Sequence, residues 1–157
     1  MRKFLGCFDE KTFAKFAQIF SSFVQPGMVV LLIGELGTGK TTFVKQCATS
    51  LGIDPNRVRS PTFSLINVYE GDVKIYHVDL YRLNKDLEVV MEIEEIIERK
   101  DSVIFVEWAD RLQSFWIGWE IKLMFDFCDA GRTITIESEN EQFISQLQER
   151  WSEFAQV

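Results

Sequence analysis

Apolar residues recur at helical spacing in four segments of the chain. Within residues 9–23, phenylalanines stand at steps of three and four, which is the spacing of one buried helix face. The other segments with helical spacing are residues 42–51, 86–99 and 140–154. The 86–99 segment is acidic on its other side, which indicates a solvated helix face, with a partner-docking surface as the alternative.

Six further segments have the composition of β-strands. They are residues 28–33, 64–69, 73–79, 102–108, 119–128 and 133–138. The first and fourth are continuous apolar runs, as in strands buried on both faces of a sheet. Only Glu70, Gly71 and Asp72 join the second to the third, and so short a connection requires an antiparallel hairpin. We therefore predict one α/β domain over residues 1–157 with a mixed sheet.

A glycine-rich segment after the first apolar strand fits a phosphate-binding loop. Residues 34–41, GELGTGKT, match the pattern G-x-x-x-x-G-K-[S/T] at every fixed position. Strand, glycine loop and helix follow in the order that points backbone N–H groups and a helix N-terminus at phosphate. We expect Lys40 at the β- and γ-phosphates and the Thr41 hydroxyl on Mg²⁺. The predicted nucleotide contacts are Gly34, Glu35, Leu36, Gly37, Thr38, Gly39, Lys40, Thr41 and Thr42.

Two carboxylates follow predicted buried strands, Asp79 after KIYHV and Glu107 after VIFV. Sheets of this class place their ligands at the carboxyl ends of the strands. Nucleotide hydrolysis needs Mg²⁺ held by oxygen ligands and a water in line with the γ-phosphate. We predict that Asp79 and Glu107 bind Mg²⁺ together with Thr41 and form the catalytic set with Lys40 and Thr62. The chain is thus expected to have a three-layer fold similar to P-loop NTPases.

Four other residues near these motifs are candidates for the site. His77 stands two residues before Asp79, on the same strand face, and is either a proton shuttle, a phosphate-orienting group or a hydrogen-bonded structural histidine. Thr62, in the segment SPTF, either senses the γ-phosphate as a switch-loop threonine does or is a plain turn residue. Tyr81 and Arg82 come just after Asp79, and Arg82 could pair with an acid or approach phosphate.

Composition narrows the class of protein. The formal net charge of −7 disfavours direct binding of DNA or tRNA. Cys7, Cys47 and Cys128 are widely separated, so we expect free thiols in a reducing cytosol rather than disulfides or metal ligands. The start MRKFLGC lacks the apolar stretch of a lipoprotein signal, and no run has membrane-spanning length. We therefore expect a cytoplasmic protein that binds no membrane.

Sequence features disfavour two other classes of nucleotide-binding protein. Residues 79–82, DLYR, lack the glycine of a D-x-x-G switch, and residues 84–87, NKDL, miss the N-K-x-D guanine motif by one position. A small-molecule kinase needs an arginine-bearing lid, and the stretch after Glu107 offers only Arg111. An ATPase is the favoured hypothesis. A non-catalytic, nucleotide-gated assembly subunit is the alternative, and a kinase comes third.

Four motifs in this order resemble the TsaE (YjeE) family of bacterial ATPases. They are GELGTGKTTF, SPTFSLINVY, YHVDLYRL and VEWADRL, and the resemblance extends over about residues 28–112. SPTF and HVDLYRL are far more specific than the phosphate loop. The resemblance implies Mg²⁺-dependent ATP hydrolysis in the threonylcarbamoyladenosine modification of ANN-decoding tRNAs. It also implies that the protein binds and resets a TsaD–TsaB heterodimer and meets tRNA only through that complex.

The resemblance also implies roles for individual residues. Thr41 and Asp79 would hold Mg²⁺, and Glu107 would complete the metal shell or position water. Thr62 would lie at the γ-phosphate and Trp108 beside the site. Because the sequence contains no evident arginine finger, we expect slow hydrolysis by the protein alone and faster hydrolysis in the complex.

Overall fold

The computed structural model describes residues 1–59, 61, 65–81, 87–110 and 121–155. Four α-helices are present in these residues: α1 Glu10–Ser21, α2 Lys40–Ser50, α3 Leu87–Arg99 and α4 Glu141–Ala155. A short 3-10 helix covers Pro55–Arg57. The strands are β1 Arg2–Phe8, β2 Val29–Ile33, β3 Ile66–Tyr69, β4 Lys74–Asp79, β5 Ser102–Glu107, β6 Ile121–Cys128 and β7 Gly131–Glu137.

The strands form one seven-stranded sheet in the order β1-β7-β6-β2-β5-β4-β3. Its centre is parallel, since β2 pairs in parallel with β5 and β6, and β4 pairs in parallel with β5. Antiparallel pairs complete both sides, including the predicted hairpin of β3 and β4. The predicted α/β fold with a mixed parallel and antiparallel sheet is confirmed.

Two apolar clusters cover the two faces of the sheet. The larger cluster contains the buried apolar residues of α1, α2 and α4 together with alternate residues of the central strands, such as Ile75 and Phe105. The smaller one joins α3 to the intervening strand positions, such as Val78 and Val106. Because neighbouring strand residues point to opposite faces, this division gives three layers, helix on sheet on helix.

The phenylalanine-rich first helix lies in the larger cluster. Asp9 caps α1, accepting a hydrogen bond of 2.8 Å from the Thr12 amide. Phe16 and Phe20 are completely buried, and the Phe20 ring lies 5.3 Å from that of Phe43 in α2. The prediction that this stripe is core is confirmed. Among the described residues, no helix has the length and apolar character needed to cross a membrane.

The first strand and one disulfide differ from the sequence-based expectations. β1 was not predicted, and it pairs antiparallel with β7 at the edge of the sheet. Its C-terminal end brings Cys7 within a Cα–Cα distance of 6.2 Å from Cys128, and the two form a disulfide. The expectation of three free thiols was therefore wrong for these two residues. Cys47 is a free, buried thiol, and burial raises its pKa well above the ordinary value.

Candidate active site

The glycine-rich loop runs from the end of β2 to the first residue of α2, Lys40. Gly39, the residue before the helix, has φ 103°, a left-handed conformation that glycine adopts without strain. A Cβ atom on Gly34 would lie only 2.6 Å from the Thr38 hydroxyl and 2.8 Å from the Phe125 carbonyl. The fixed glycines of the pattern are thus required by local conformation and close packing.

Lys40 folds back into this loop. Its ammonium donates hydrogen bonds to the carbonyls of Gly34 and Glu35, the latter at 2.9 Å, and it lies 4.2 Å from the centroid of the Trp108 ring. Burial lowers the pKa of Lys40 from its ordinary value, and the carboxylates of Glu107 and Asp79 partly offset this by favouring the charged form. The loop therefore holds a cation whose own hydrogen-bond partners are backbone carbonyls.

The two predicted carboxylates lie side by side beneath the loop. Asp79 ends β4 and Glu107 ends β5, and the parallel register pairs them directly. Both are 3% exposed. The Thr41 hydroxyl lies 2.9 Å from each oxygen of Glu107, and Asp79 accepts a hydrogen bond of 2.9 Å from the Tyr81 amide. A hydroxyl and two carboxylates thus meet at the N-terminus of α2.

One cavity of about 260 Å³ brings most of the predicted residues together. Its walls come from the loop, the start of α2, the ends of β4 and β5, and β7: Leu36, Gly37, Gly39, Lys40, Thr41, Thr42, Asp79, Tyr81, Glu107, Trp108 and Arg132. Thr38 lies outside this lining, and its buried hydroxyl donates to the Glu35 carbonyl at 2.7 Å within the loop. Thr62, Arg82 and Arg111 lie outside the described residues.

His77 lies behind the cavity rather than in its wall. The imidazole is completely buried, and its Nε2 is hydrogen-bonded to Glu107 Oε2. Its Nδ1 lies 3.0 Å from the Tyr69 hydroxyl. Of the alternatives open from the sequence, this placement favours a hydrogen-bonded histidine that contacts a site carboxylate over one that reaches phosphate.

Trp108 and Tyr81 form an aromatic wall of the cavity. Their ring centroids are 4.9 Å apart. Trp108 has φ 57°, a conformation that is uncommon for a large side chain, and its amide donates to the Leu32 carbonyl at 3.1 Å. This backbone geometry accompanies the position of the indole over the Lys40 ammonium.

Arg132 is a site residue that the sequence analysis missed. It follows the β6–β7 turn, and its guanidinium packs on Gly39, where an added Cβ would lie 2.1 Å from Arg132 Nη1. The guanidinium carbon is 4.9 Å from the centroid of the Phe13 ring. Among the described residues, no carboxylate lies within ion-pair distance of Arg132. In the sequence, Arg132 stands in the short turn between two predicted strands, and nothing there indicates that it lies beside the glycine loop.

A second cavity of about 560 Å³ adjoins the first and shares Thr42 and Arg132 with it. It extends along the start of α1 and the outer side of α2, where Glu10, Phe13 and Gln46 line it. An elongated ligand with its phosphates in the loop therefore has space for further groups beside these two helices.

The oxygen donors at the loop suit magnesium. In the described part of the chain, no three His, Cys, Asp or Glu side chains are grouped to hold a metal by themselves. Mg²⁺ in nucleotide sites takes one or two carboxylates from the protein and completes its shell with phosphate and water. The Thr41 hydroxyl with Glu107 and Asp79 is such an incomplete set of hard oxygen ligands.

The sheet topology and the glycine loop at its centre define an α/β protein of the P-loop type. A solved structure, that of YdiB from Bacillus subtilis, superimposes with a TM-score of 0.74 at 25% identity, covering 99% of this chain and 97% of that one. The family model of threonylcarbamoyl adenosine biosynthesis protein TsaE matches residues 7–142. The chain belongs to the TsaE family, which is involved in tRNA threonylcarbamoyladenosine biosynthesis.

Two curated relatives illustrate the match. The TsaE protein of Aquifex aeolicus is 38% identical over 118 residues, which cover 74% of this chain and 83% of that protein. The TsaE protein of Borreliella burgdorferi is 37% identical over 140 residues, covering 82% and 94%. The family resemblance inferred from four short motifs is thus confirmed over most of the chain.

Proposed function

We propose that this protein is a Mg²⁺-dependent ATPase required for threonylcarbamoyladenosine modification of ANN-decoding tRNAs. The observation that carries the proposal is the single cavity in which Lys40, Thr41, Asp79 and Glu107 meet at the glycine loop. A cation, a hydroxyl at a helix N-terminus and two buried carboxylates are the groups that bind phosphates and Mg²⁺ and orient water.

Each group has a distinct part in this mechanism. The loop amides and Lys40 bind the phosphates, and Lys40 exchanges its hydrogen bonds to the Gly34 and Glu35 carbonyls for bonds to phosphate oxygens. Thr41, Asp79 and Glu107 would hold Mg²⁺, which when bound would supply positive charge to offset that of the phosphates. A carboxylate oxygen of Glu107 or Asp79 accepts a hydrogen bond from the attacking water and aligns it.

The remainder of the nucleotide occupies the neighbouring cavity. Arg132 stands between the two cavities and, lacking a carboxylate partner among the described residues, is available to contact phosphate or stack on the base. The absence of guanine-specific motifs in the sequence favours ATP as the nucleotide. Thr62 and Trp108 keep the roles that the family resemblance implies, and Arg82 keeps its proposed role of pairing with an acid or approaching phosphate.

The partner we propose is a TsaD–TsaB heterodimer that the protein binds and resets between turnovers in the cytoplasm. The family resemblance and the net charge of −7 support this, because a protein so acidic is poorly suited to bind tRNA directly. The positive surface that meets tRNA is then supplied by the partner. Hydrolysis is slow in the free protein and faster in the complex.

The test is the rate of phosphate release from Mg–ATP by the protein alone and with the TsaD–TsaB pair, combined with a tRNA modification assay. We expect stimulation by the pair, and loss of both hydrolysis and modification in Glu107→Gln and Asp79→Ala. Equal rates with and without the pair would contradict the partner proposal. Retained tRNA modification by variants that bind ATP without hydrolysing it would identify a nucleotide-gated assembly subunit instead. Transfer of phosphate to an added acceptor would identify a kinase.

A further inference from the structure

We propose that Tyr69 and His77 are positioning residues that hold the Glu107 carboxylate against the Thr41 hydroxyl. The inference rests on the proposed function of the Thr41–Glu107 site. It assigns a task to two buried polar side chains that do not line the cavity.

An unbroken line of hydrogen bonds connects the four side chains. Tyr69 Oη lies 3.0 Å from His77 Nδ1, His77 Nε2 is bonded to Glu107 Oε2, and both Glu107 oxygens lie 2.9 Å from Thr41 Oγ1. The strand registers produce this order. Asn67 opposes His77 across β3 and β4, and Glu107 opposes Asp79 across β4 and β5, so Tyr69, His77 and Glu107 share one face of the sheet.

The far end of this line is fixed to the backbone. Tyr69 is 3% exposed, and its hydroxyl accepts a hydrogen bond of 3.3 Å from the Arg59 amide. The Arg59 carbonyl, 3.1 Å from the same hydroxyl, accepts from the side-chain amide of Asn67 at 3.2 Å, which leaves the single tyrosine proton for His77. Tyr69 is thus held from the segment that follows the Pro55–Arg57 turn. The histidine is thus supported by a buried side chain that is itself hydrogen-bonded to the backbone.

The hydrogen-bonding capacities of the side chains determine which group donates and which accepts in each bond of this line. A tyrosine hydroxyl has one proton, and a neutral imidazole has one N–H donor and one acceptor nitrogen. When Tyr69 donates to His77 Nδ1, the Nε2–H must face Glu107 and donates to its carboxylate. The hydroxyl therefore selects the tautomer and ring orientation that the carboxylate needs, as second partners of metal-binding residues commonly do.

Glu107 needs such support because other charges surround it. Lys40 and Asp79 line the same cavity, where the Lys40 ammonium attracts the Glu107 carboxylate and the like charge of Asp79 repels it. A carboxylate turned toward Lys40 would be misplaced relative to the Thr41 hydroxyl. The bond from His77 opposes that rotation, and so it keeps Glu107 in place for Mg²⁺ when nucleotide is bound.

The test compares ADP affinity in Mg²⁺ with ADP affinity in EDTA, measured by calorimetry on the full chain. Tyr69→Phe removes only the hydroxyl, and His77→Ala removes the donor to Glu107. We expect both to reduce the strengthening of ADP binding by Mg²⁺ about tenfold, the range found for second partners of metal-binding residues. Affinity in EDTA should stay close to that of the unsubstituted protein. His77→Gln, which keeps an N–H at the reach of Nε2, should restore most of the loss.

The chain provides a matched control in Tyr76. It is a buried tyrosine of β4 on the opposite sheet face, where its hydroxyl accepts a hydrogen bond of 3.1 Å from Arg99. Tyr76→Phe should leave the effect of Mg²⁺ on ADP affinity unchanged.

The possible outcomes separate the two proposals. An unsubstituted protein that binds no ADP in either condition would overturn the proposed function itself. If it binds ADP more tightly with Mg²⁺ and Tyr69→Phe does so equally well, the positioning inference alone is overturned. Equal losses in Mg²⁺ and EDTA would mean that Tyr69 and His77 serve stability only. If His77→Ala does not fold, the isosteric Tyr69→Phe decides the question.

Discussion

The middle and the carboxyl edge of one sheet face are built from opposite kinds of side chain. In β5, Phe105 lies in the apolar cluster beneath α1 and α2, while Glu107, two residues further on the same face, contacts Thr41 and His77. In β4, Ile75 belongs to the apolar cluster, and His77 follows it on that face. On this face, side chains only two positions apart along a strand change from apolar to ionisable.

This contrast shows which part of the interior supports the fold and which part supports chemistry. Burial of the phenylalanine rings removes apolar area from water and stabilises the protein. Burial of Lys40, Asp79 and Glu107, each less than 5% exposed, opposes folding unless their mutual attraction and hydrogen bonds offset the lost hydration. Substitutions in the two regions should therefore separate stability from activity.

The largest expected effect is on stability, from Phe16→Ala. Phe16 is completely buried, and its ring packs against those of Phe8, Phe20, Phe43 and Trp151. We expect the free energy of unfolding, measured in urea, to fall by about 3–5 kcal/mol because the truncation leaves a cavity.

The control for this prediction is Phe154→Ala, at a phenylalanine that is 38% exposed and so should lose far less stability. The nucleotide affinity of folded Phe16→Ala should remain near that of the unsubstituted protein. A loss of stability no larger than that of Phe154→Ala would contradict the assignment of Phe16 to the core.

Glu107→Gln should reduce ATP hydrolysis strongly and stability only slightly, the converse of Phe16→Ala. The amide keeps the shape and a hydrogen-bond acceptor for Thr41, but it loses the charge that binds Mg²⁺ and orients water. We expect the rate of ATP hydrolysis to fall about 100-fold, the scale typical of a positioned acid–base group, with a smaller change in unfolding free energy than Phe16→Ala produces. Phosphate release and urea unfolding on the same preparation measure both. If Glu107→Gln remains active, or is as unstable as Phe16→Ala, the apolar core and the polar edge do not differ in the way proposed here.

A moderate effect is expected from Arg132→Ala at the boundary between the cavities. The substitution removes the proposed contact between the Arg132 guanidinium and the nucleotide. If that contact contributes about 1.4 kcal/mol, ADP binding should become about tenfold weaker. Calorimetry measures this, and Arg150→Ala is the matched control because Arg150 is exposed and pairs with Glu153 at 3.1 Å. Equal ADP affinities of the two variants would show that Arg132 supports packing on Phe13 rather than nucleotide binding.

The smallest effect concerns the cap of the phenylalanine helix. The hydrogen bonds from Thr12 lower the pKa of Asp9, so the ionised form stabilises the folded state. That contribution is present above the ordinary aspartate pKa of about 4 and disappears as the pH falls through the lower value of the folded state. Asn is also a good cap but does not titrate. The stability difference between the unsubstituted protein and Asp9→Asn should therefore change between neutral and acid pH, and a constant difference would contradict this.

The elements with strong periodicity could be predicted from the sequence. The α1 phenylalanine stripe, the β3–β4 hairpin and the two buried strands that end in Asp79 and Glu107 all have local causes in spacing and loop length. The mixed sheet followed from them. The edge strand β1 could not be predicted, because it has little alternation and a register shift between Phe4 and Gly6, and its pairing with β7 depends on distant residues.

Features that depend on tertiary packing, both in the site and outside it, were also missed. Cys7 and Cys128 are 121 residues apart in the chain, so their spacing gave no indication of a disulfide. Arg132 reaches Gly39 only because the β6–β7 hairpin packs beside the loop. The sequence placed His77 on the same face as Asp79, but its contact with Glu107 depends on how β4 and β5 pair.

The central claim, that the polar edge of the sheet is a Mg–ATP site, is tested most directly by the unfolding midpoint of the unsubstituted protein in rising concentrations of Mg–ATP. Ligand that binds only the folded state stabilises it by about 2.7 kcal/mol at 100 times its dissociation constant. We predict a midpoint that rises steadily with ATP and rises less in EDTA. A midpoint that stays the same at every ATP concentration would contradict the account.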